Sequence, residues 1–128
     1  MRTIKFRGKA ATGGWVYGSL LTWPDGKAMV YDTLLPDGSM GGTEVDPGTV
    51  GEFTGLLDKD GREVYEGDIL DVNYADENSY LEVRFVRGVF AFLWDGDLDD
   101  EFPCNAPTHE WAKVIGNIYD NPELIKRH

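Results

Sequence analysis

Between residues 54 and 70 the chain must turn twice in quick succession, and no other stretch constrains its fold as tightly. Asp60-Gly61 supplies one tight turn, Glu66-Gly67-Asp68 a second, and an apolar run opening with Ile69-Leu70 follows. The intervening Glu63-Val64-Tyr65-Glu66 is too short for a helix that holds itself and too mixed for a long strand. The segment therefore reads as a structured corner that delivers the chain into a new sheet. Glycine supports the same reading elsewhere, with 16 in 128 residues. That is about twice an average usage of roughly 7%. Helix interiors disfavour glycine and turns use it, so many short strands are expected.

Before the corner, Thr3, Lys5 and Arg7 alternate with Ile4 and Phe6, which predicts a half-buried strand over residues 2–8 with a basic outer stripe. Lysine and arginine there suit a protected sheet edge. Lys5, Arg7 and Lys9 beside Trp15 and Tyr17 also suit stacked single-stranded bases, a less common use of such a pattern. Residues 15–21 and 27–31 read as two strands of a hairpin joined by Trp23-Pro24-Asp25-Gly26. Residues 36–51 hold two prolines and five glycines, which predicts a long exposed connection with one short strand around Thr43-Glu44-Val45.

After the corner, strands are expected at 68–74, 80–86, 89–94 and 110–118, with Arg87-Gly88 as a two-residue hairpin turn. Asn121 as N-cap and Pro122 at the first helical position predict a short C-terminal helix docked by Leu124 and Ile125. The expected fold is all-β. An N-terminal β meander over residues 1–53 is followed by a small, SH3-like, partly open antiparallel barrel over 54–128.

Charge divides at the same place. Five basic and six acidic residues lie in 1–53, against seven and seventeen in 54–128, so the net −11 splits into −1 and −10. Such acidity repels phosphate backbones and makes nucleic acid an unfavourable partner. The single cysteine, Cys104, excludes an internal disulfide and suits a cytoplasmic setting. No apolar run approaches the roughly 20 residues that span a bilayer.

No spacing for a serine, cysteine or zinc-dependent hydrolase is present, and no strand–glycine loop–helix order offers a phosphate cradle. Asp58, Asp60 and Gly61 resemble part of a calcium loop, but Leu56 and Gly67 stand where its first and last carboxylates belong. No metal, cofactor or catalytic residue is therefore assigned. Two groups remain as candidate sites. Asp58, Asp60, Tyr65, Glu66 and Asp68 form an interaction or structural corner. Asp95, Asp97, Asp99, Asp100 and Glu101 form an acidic docking loop.

Residues 54–69, from Thr54-Gly55-Leu56 through Asp60-Gly61 to Glu63-Val64-Tyr65-Glu66-Gly67-Asp68-Ile69, resemble the signature of the YopX-like proteins of phages and prophages. The opening Ile4-Lys5-Phe6-Arg7-Gly8 and the closing Val114-Ile115-Gly116-Asn117-Ile118-Tyr119-Asp120-Asn121-Pro122-Glu123-Leu124 resemble that family's two ends. The resemblance implies a mainly β protein encoded by mobile elements, acting in the host cytoplasm, and it brings no established activity or cofactor. The expected role is a non-enzymatic binding or assembly module that engages a protein partner or itself. Two alternatives remain. One is an acidic DNA mimic that occupies a basic nucleic-acid-binding partner. The other is a small hydrolase or nucleotide-processing enzyme using Glu63, Glu66, Asp68 or His109.

Overall fold

The computed structural model describes residues 3–72, 80–97, 101–103 and 111–125, with the backbone alone for 101–103. The chain is almost wholly β, and it divides into two compact units, Met1–Phe53 and Thr54–His128. Among the described residues, the pairings among the first four strands and those of the second unit's five-stranded sheet are antiparallel. None of the described helical residues forms a segment long and apolar enough to cross a membrane.

The first unit contains β1 (Phe6–Ala10), β2 (Trp15–Thr22), β3 (Ala28–Leu34) and most of β4 (Met40–Leu57). Each strand pairs with the next, and β1 also pairs with β4, so the four pairings close into a ring. This corrects three expectations. Strand β1 is flanked on both sides and is no edge, because its second side is taken by β4. Arg7 is only 5% exposed, its guanidinium carbon lying 4.7 Å from the Trp15 ring centroid. It shares the face of its register partner Tyr17 but is covered in a cation–π contact, so the stripe is not an exposed one at this position. Third, the glycine- and proline-rich stretch is strand over most of its length.

Strand β4 pairs with β3 through Val45 and then switches to β1, Val45 being opposite both Ala28 and Ala10. Four residues, Pro47-Gly48-Thr49-Val50, bulge between the pairs Lys9↔Asp46 and Arg7↔Gly51. Thr49 stitches this bulge. Its hydroxyl accepts the Lys9 N–H at 2.9 Å and donates to the Asp46 carbonyl at 2.7 Å, replacing ladder bonds that proline and the register shift remove. Local turn chemistry is thus used to bend one strand around a ring. Inside lie Ala28, Val30 and Val45, with Val16, Leu20 and Val50 packed against them. Gly8 faces this core so closely that a β-carbon there would stand 2.6 Å from Val45 Cγ2.

In the second unit the end of β4 neighbours β5 (Glu63–Tyr65), where the Thr54 hydroxyl donates to the Val64 carbonyl at 2.8 Å. A five-stranded sheet follows, built from β6 (Asp68–Asp71), β7 (Tyr80–Val86), β8 (Val89–Trp94), β9 (Glu101–Pro103) and β10 (Lys113–Asn117). Its order is β10-β6-β7-β8-β9. The ring of pairings therefore lies in the first unit, where a meander was expected. The unit expected to form the barrel has, among its described residues, a sheet with β10 and β9 at its edges.

Arg87 and Gly88 both have positive φ, 49° and 84°, the backbone a two-residue hairpin turn demands. Val64, Leu70, Val72, Leu81, Val83, Phe92 and Ala112 form the core, and Trp111 meets Phe92 edge to face at 5.9 Å. The expected C-terminal helix is a single 3₁₀ turn, Pro122–Leu124. Asn121 does not cap it. Its Oδ1 accepts the Asn117 N–H at 3.3 Å instead, and Ile125 is buried beyond the turn.

Candidate functional site

The β4–β5 hairpin turns at Asp58–Arg62, where Gly61 takes φ 82° and its N–H donates to the Asp58 carbonyl at 3.0 Å. Asp58 is 1% exposed, and both its carboxylate oxygens accept backbone bonds. Oδ1 takes the N–H groups of Asp60 at 2.9 Å and Arg62 at 2.8 Å, and Oδ2 takes that of Val114 at 2.9 Å. Burial pushes this carboxyl up. The Val114, Arg62 and Asp60 donors and the Arg62 charge outweigh it and hold Asp58 below the ordinary carboxylate value. One side chain thus closes a turn and fastens it to a strand more than fifty residues away.

The second turn works alike. Asp68 is buried, and its Oδ2 accepts the Tyr65 N–H at 2.7 Å across Glu66-Gly67. Gly67, at φ 94°, donates to the Val83 carbonyl at 2.7 Å and accepts from the Ile118 N–H at 2.9 Å, joining the turn to both neighbouring segments. Tyr65 is buried, its hydroxyl donating to Glu63 Oε1 at 3.0 Å. Glu66 is half-buried, and Asp60 is exposed with Lys113 Nζ at 4.0 Å from its carboxylate. The five corner residues thus lie in consecutive turns, but their carboxylates do not converge. Two of them bind backbone, and one faces solvent.

Of the acidic loop, Asp95 and Asp97 complete the turn that ends β8, Asp95 at φ 50° and Asp97 donating its N–H to the Trp94 carbonyl at 2.9 Å. Glu101 begins β9, and Asp99 and Asp100 lie outside the described residues, as do Cys104 and His109. Among the described residues no three His, Cys, Asp or Glu side chains cluster as metal ligands would.

A different surface is built in the first unit. Alternation along β2 sends Val16 and Leu20 inward and Tyr17, Ser19 and Leu21 outward. Across the strands, Leu21 pairs with Met29 and Met29 with Glu44, so these three share the outer face. The next row is Ser19, Tyr31 and Gly42. Gly42 lets the Tyr31 ring lie across β4, since a β-carbon there would come within 2.7 Å of two ring carbons.

Beside this face a cavity of about 290 Å³ is lined by Trp23, Asp25, Lys27, Met29 and Glu44. Glu44 also borders a second, of about 540 Å³, with Lys9, Ala10, Ala11, Val45, Asp46 and Pro47. Tyr17, Leu21 and Trp23 remain 44%, 49% and 39% exposed. The sequence marks only the Tyr17 end of this surface, and β2 beyond it reads as one more strand. The signal was present in apolar residues on both of its faces.

The family model described as YopX protein matches residues 5–126. A comparison with curated proteins returned no match. Among solved structures, protein EF1440 from Enterococcus faecalis is similar with a TM-score of 0.61 and 24% identity, over 98% of this chain and 100% of that one. Protein yopX from Bacillus subtilis is similar with a TM-score of 0.61 and 21% identity, over 98% of each. These structures share the fold. With the family's pattern matched along nearly its whole length, the chain belongs to the YopX protein family.

Proposed function

We propose that this protein is a non-enzymatic binding or assembly module, encoded by a phage or prophage and acting in the host cytoplasm. The observation that carries the reading is the outer face of the first unit, where the large apolar side chains Tyr17, Leu21 and Trp23 are partly exposed together. An apolar strip rimmed by polar groups costs solubility unless something covers it. The corner supports the reading from the other side, because both oxygens of Asp58 and Oδ2 of Asp68 accept backbone N–H groups that hold two turns. The acidic-mimic alternative is the weaker one. It needs carboxylates on one surface, and Asp58, Asp68 and Glu82 of the second unit are buried.

The experiment is co-purification of the tagged full chain from its host, with light scattering on the purified protein and Leu21→Ser as the matched variant. A stoichiometric protein partner, or a concentration-dependent oligomer, that is lost with Leu21→Ser is expected. A monomer at high concentration, with no partner depending on Leu21, overturns the reading.

A further inference from the structure

Building on the binding-module reading, we infer that the cavity bounded by Trp23, Met29 and Glu44 receives an arginine or lysine side chain from a basic segment of a partner protein. Three features of the cavity point to a cation on an alkyl stem. The Trp23 indole is exposed at its wall, and an aromatic face attracts ammonium and guanidinium groups. Met29 adds a polarisable thioether that accommodates a methylene chain. The carboxylates of Asp25 and Glu44 line the same space against the single ammonium of Lys27.

Asp25 is oriented by its own turn, Oδ1 accepting the Lys27 N–H at 3.0 Å, so its charge is held in place before anything binds. Glu44 is placed by register, directly across from Met29 and one row from Tyr31 on Gly42. Its position on the border of both cavities would let a chain entering one continue along Asp46 in the other.

Charge complementarity selects this occupant over a second copy of the chain. Two molecules of net charge −11 repel, and the lining's own excess of carboxylate, Asp25 and Glu44 against Lys27, favours a basic segment. The neighbouring Leu21 and Tyr17 would carry the apolar residues that flank the cation.

The test uses the full chain labelled with ¹⁵N and a capped tetra-arginine peptide at 150 mM salt, with the isosteric uncharged tetra-citrulline peptide as control. The expected result is a saturable shift of the Trp23 indole N–H with the arginine peptide and none with citrulline. Trp23→Ala, followed through neighbouring backbone amides, and Glu44→Gln should each weaken binding about threefold to tenfold. Glu123→Gln, on the 3₁₀ turn and not part of the cavity lining, should stay within about twofold of the parent.

Equal response to citrulline, indifference to Glu44→Gln, or diffuse shifts that leave the Trp23 indole unmoved each overturn the assignment. If arginine fails while a partner still depends on Leu21, the cavity assignment falls and the module reading stands. If the indole responds as expected while no partner depends on Leu21, the cavity assignment survives and the broader reading falls.

Discussion

The substitution Asp58→Asn alters one atom of the side chain yet attacks the point where the β4–β5 turn is tied to β10. In the parent, Oδ1 accepts two N–H groups and Oδ2 a third, from Val114. The asparagine oxygen can keep the two turn bonds only as neutral ones, about 0.5–1 kcal/mol weaker each. Its amide then faces the Val114 N–H donor to donor, which forfeits a charge-assisted bond of about 1.5–3 kcal/mol. Release from burying a charge offsets part of this, leaving a net loss of about 3 kcal/mol at pH 7. That is a large share of the 5–15 kcal/mol typical of a folded domain.

The pH dependence has a definite sign. A carboxyl held below 3.8 in the fold takes up its proton more readily when unfolded. Its contribution is therefore complete above that value and is lost as pH falls from it through the lower folded value. Urea unfolding of both proteins at steps from pH 7 to pH 3 should show a gap that holds through neutral pH and narrows below about pH 4. A gap under about 1 kcal/mol at pH 7, or one that fails to narrow in acid, would refute the role given to Asp58.

Other expectations follow from the same structure. Gly8→Ala should cost about 2 kcal/mol in chemical unfolding, because its β-carbon would press on Val45 inside the first ring; a neutral result would show that the interior has room. Glu82 is 0% exposed between Ile69 and Leu93 and is bonded to Arg84, so Arg84→Met alone should cost about 2 kcal/mol. Glu82→Leu with Arg84→Met should recover most of that loss, and a double variant no better than the single one would count against a paired charge. Side-chain and backbone hydrogen bonds from Ser39 hold Asp37 below the ordinary carboxylate value. In an NMR titration Ser39→Ala should move the Asp37 midpoint upward, and an unchanged midpoint would remove Ser39 as the cause.

The stretch over residues 54–70 was readable as a corner because its information is local. Asp60-Gly61 and Glu66-Gly67-Asp68 need only neighbouring atoms to define a turn, and Gly61 and Gly67 adopt positive φ there. The same locality made the Arg87-Gly88 hairpin legible, but not the burial along β7. Strict alternation would turn Glu82 outward and Phe85 inward, and Glu82 is instead buried and Phe85 half exposed. What was invisible is the bond from Asp58 to Val114, since nothing near residue 58 indicates which distant N–H completes its shell. Gly116 makes sense only beside Asn121, whose Oδ1 would lie 2.3 Å from a β-carbon at that position.

Composition and turn chemistry, then, determined an all-β chain with a corner at its middle. They do so because glycine and Asx turns act over a few residues, whatever the rest of the chain does. Only the tertiary structure decided that β4 runs on through Pro47 to pair with two partners, that β1 is enclosed, and that Arg7 is buried. A strand's second neighbour depends on which distant segment returns to it. The outer face of β2 became a surface for the same reason: pairing set Met29 and Glu44 beside Leu21, and nothing in the order of the residues does so.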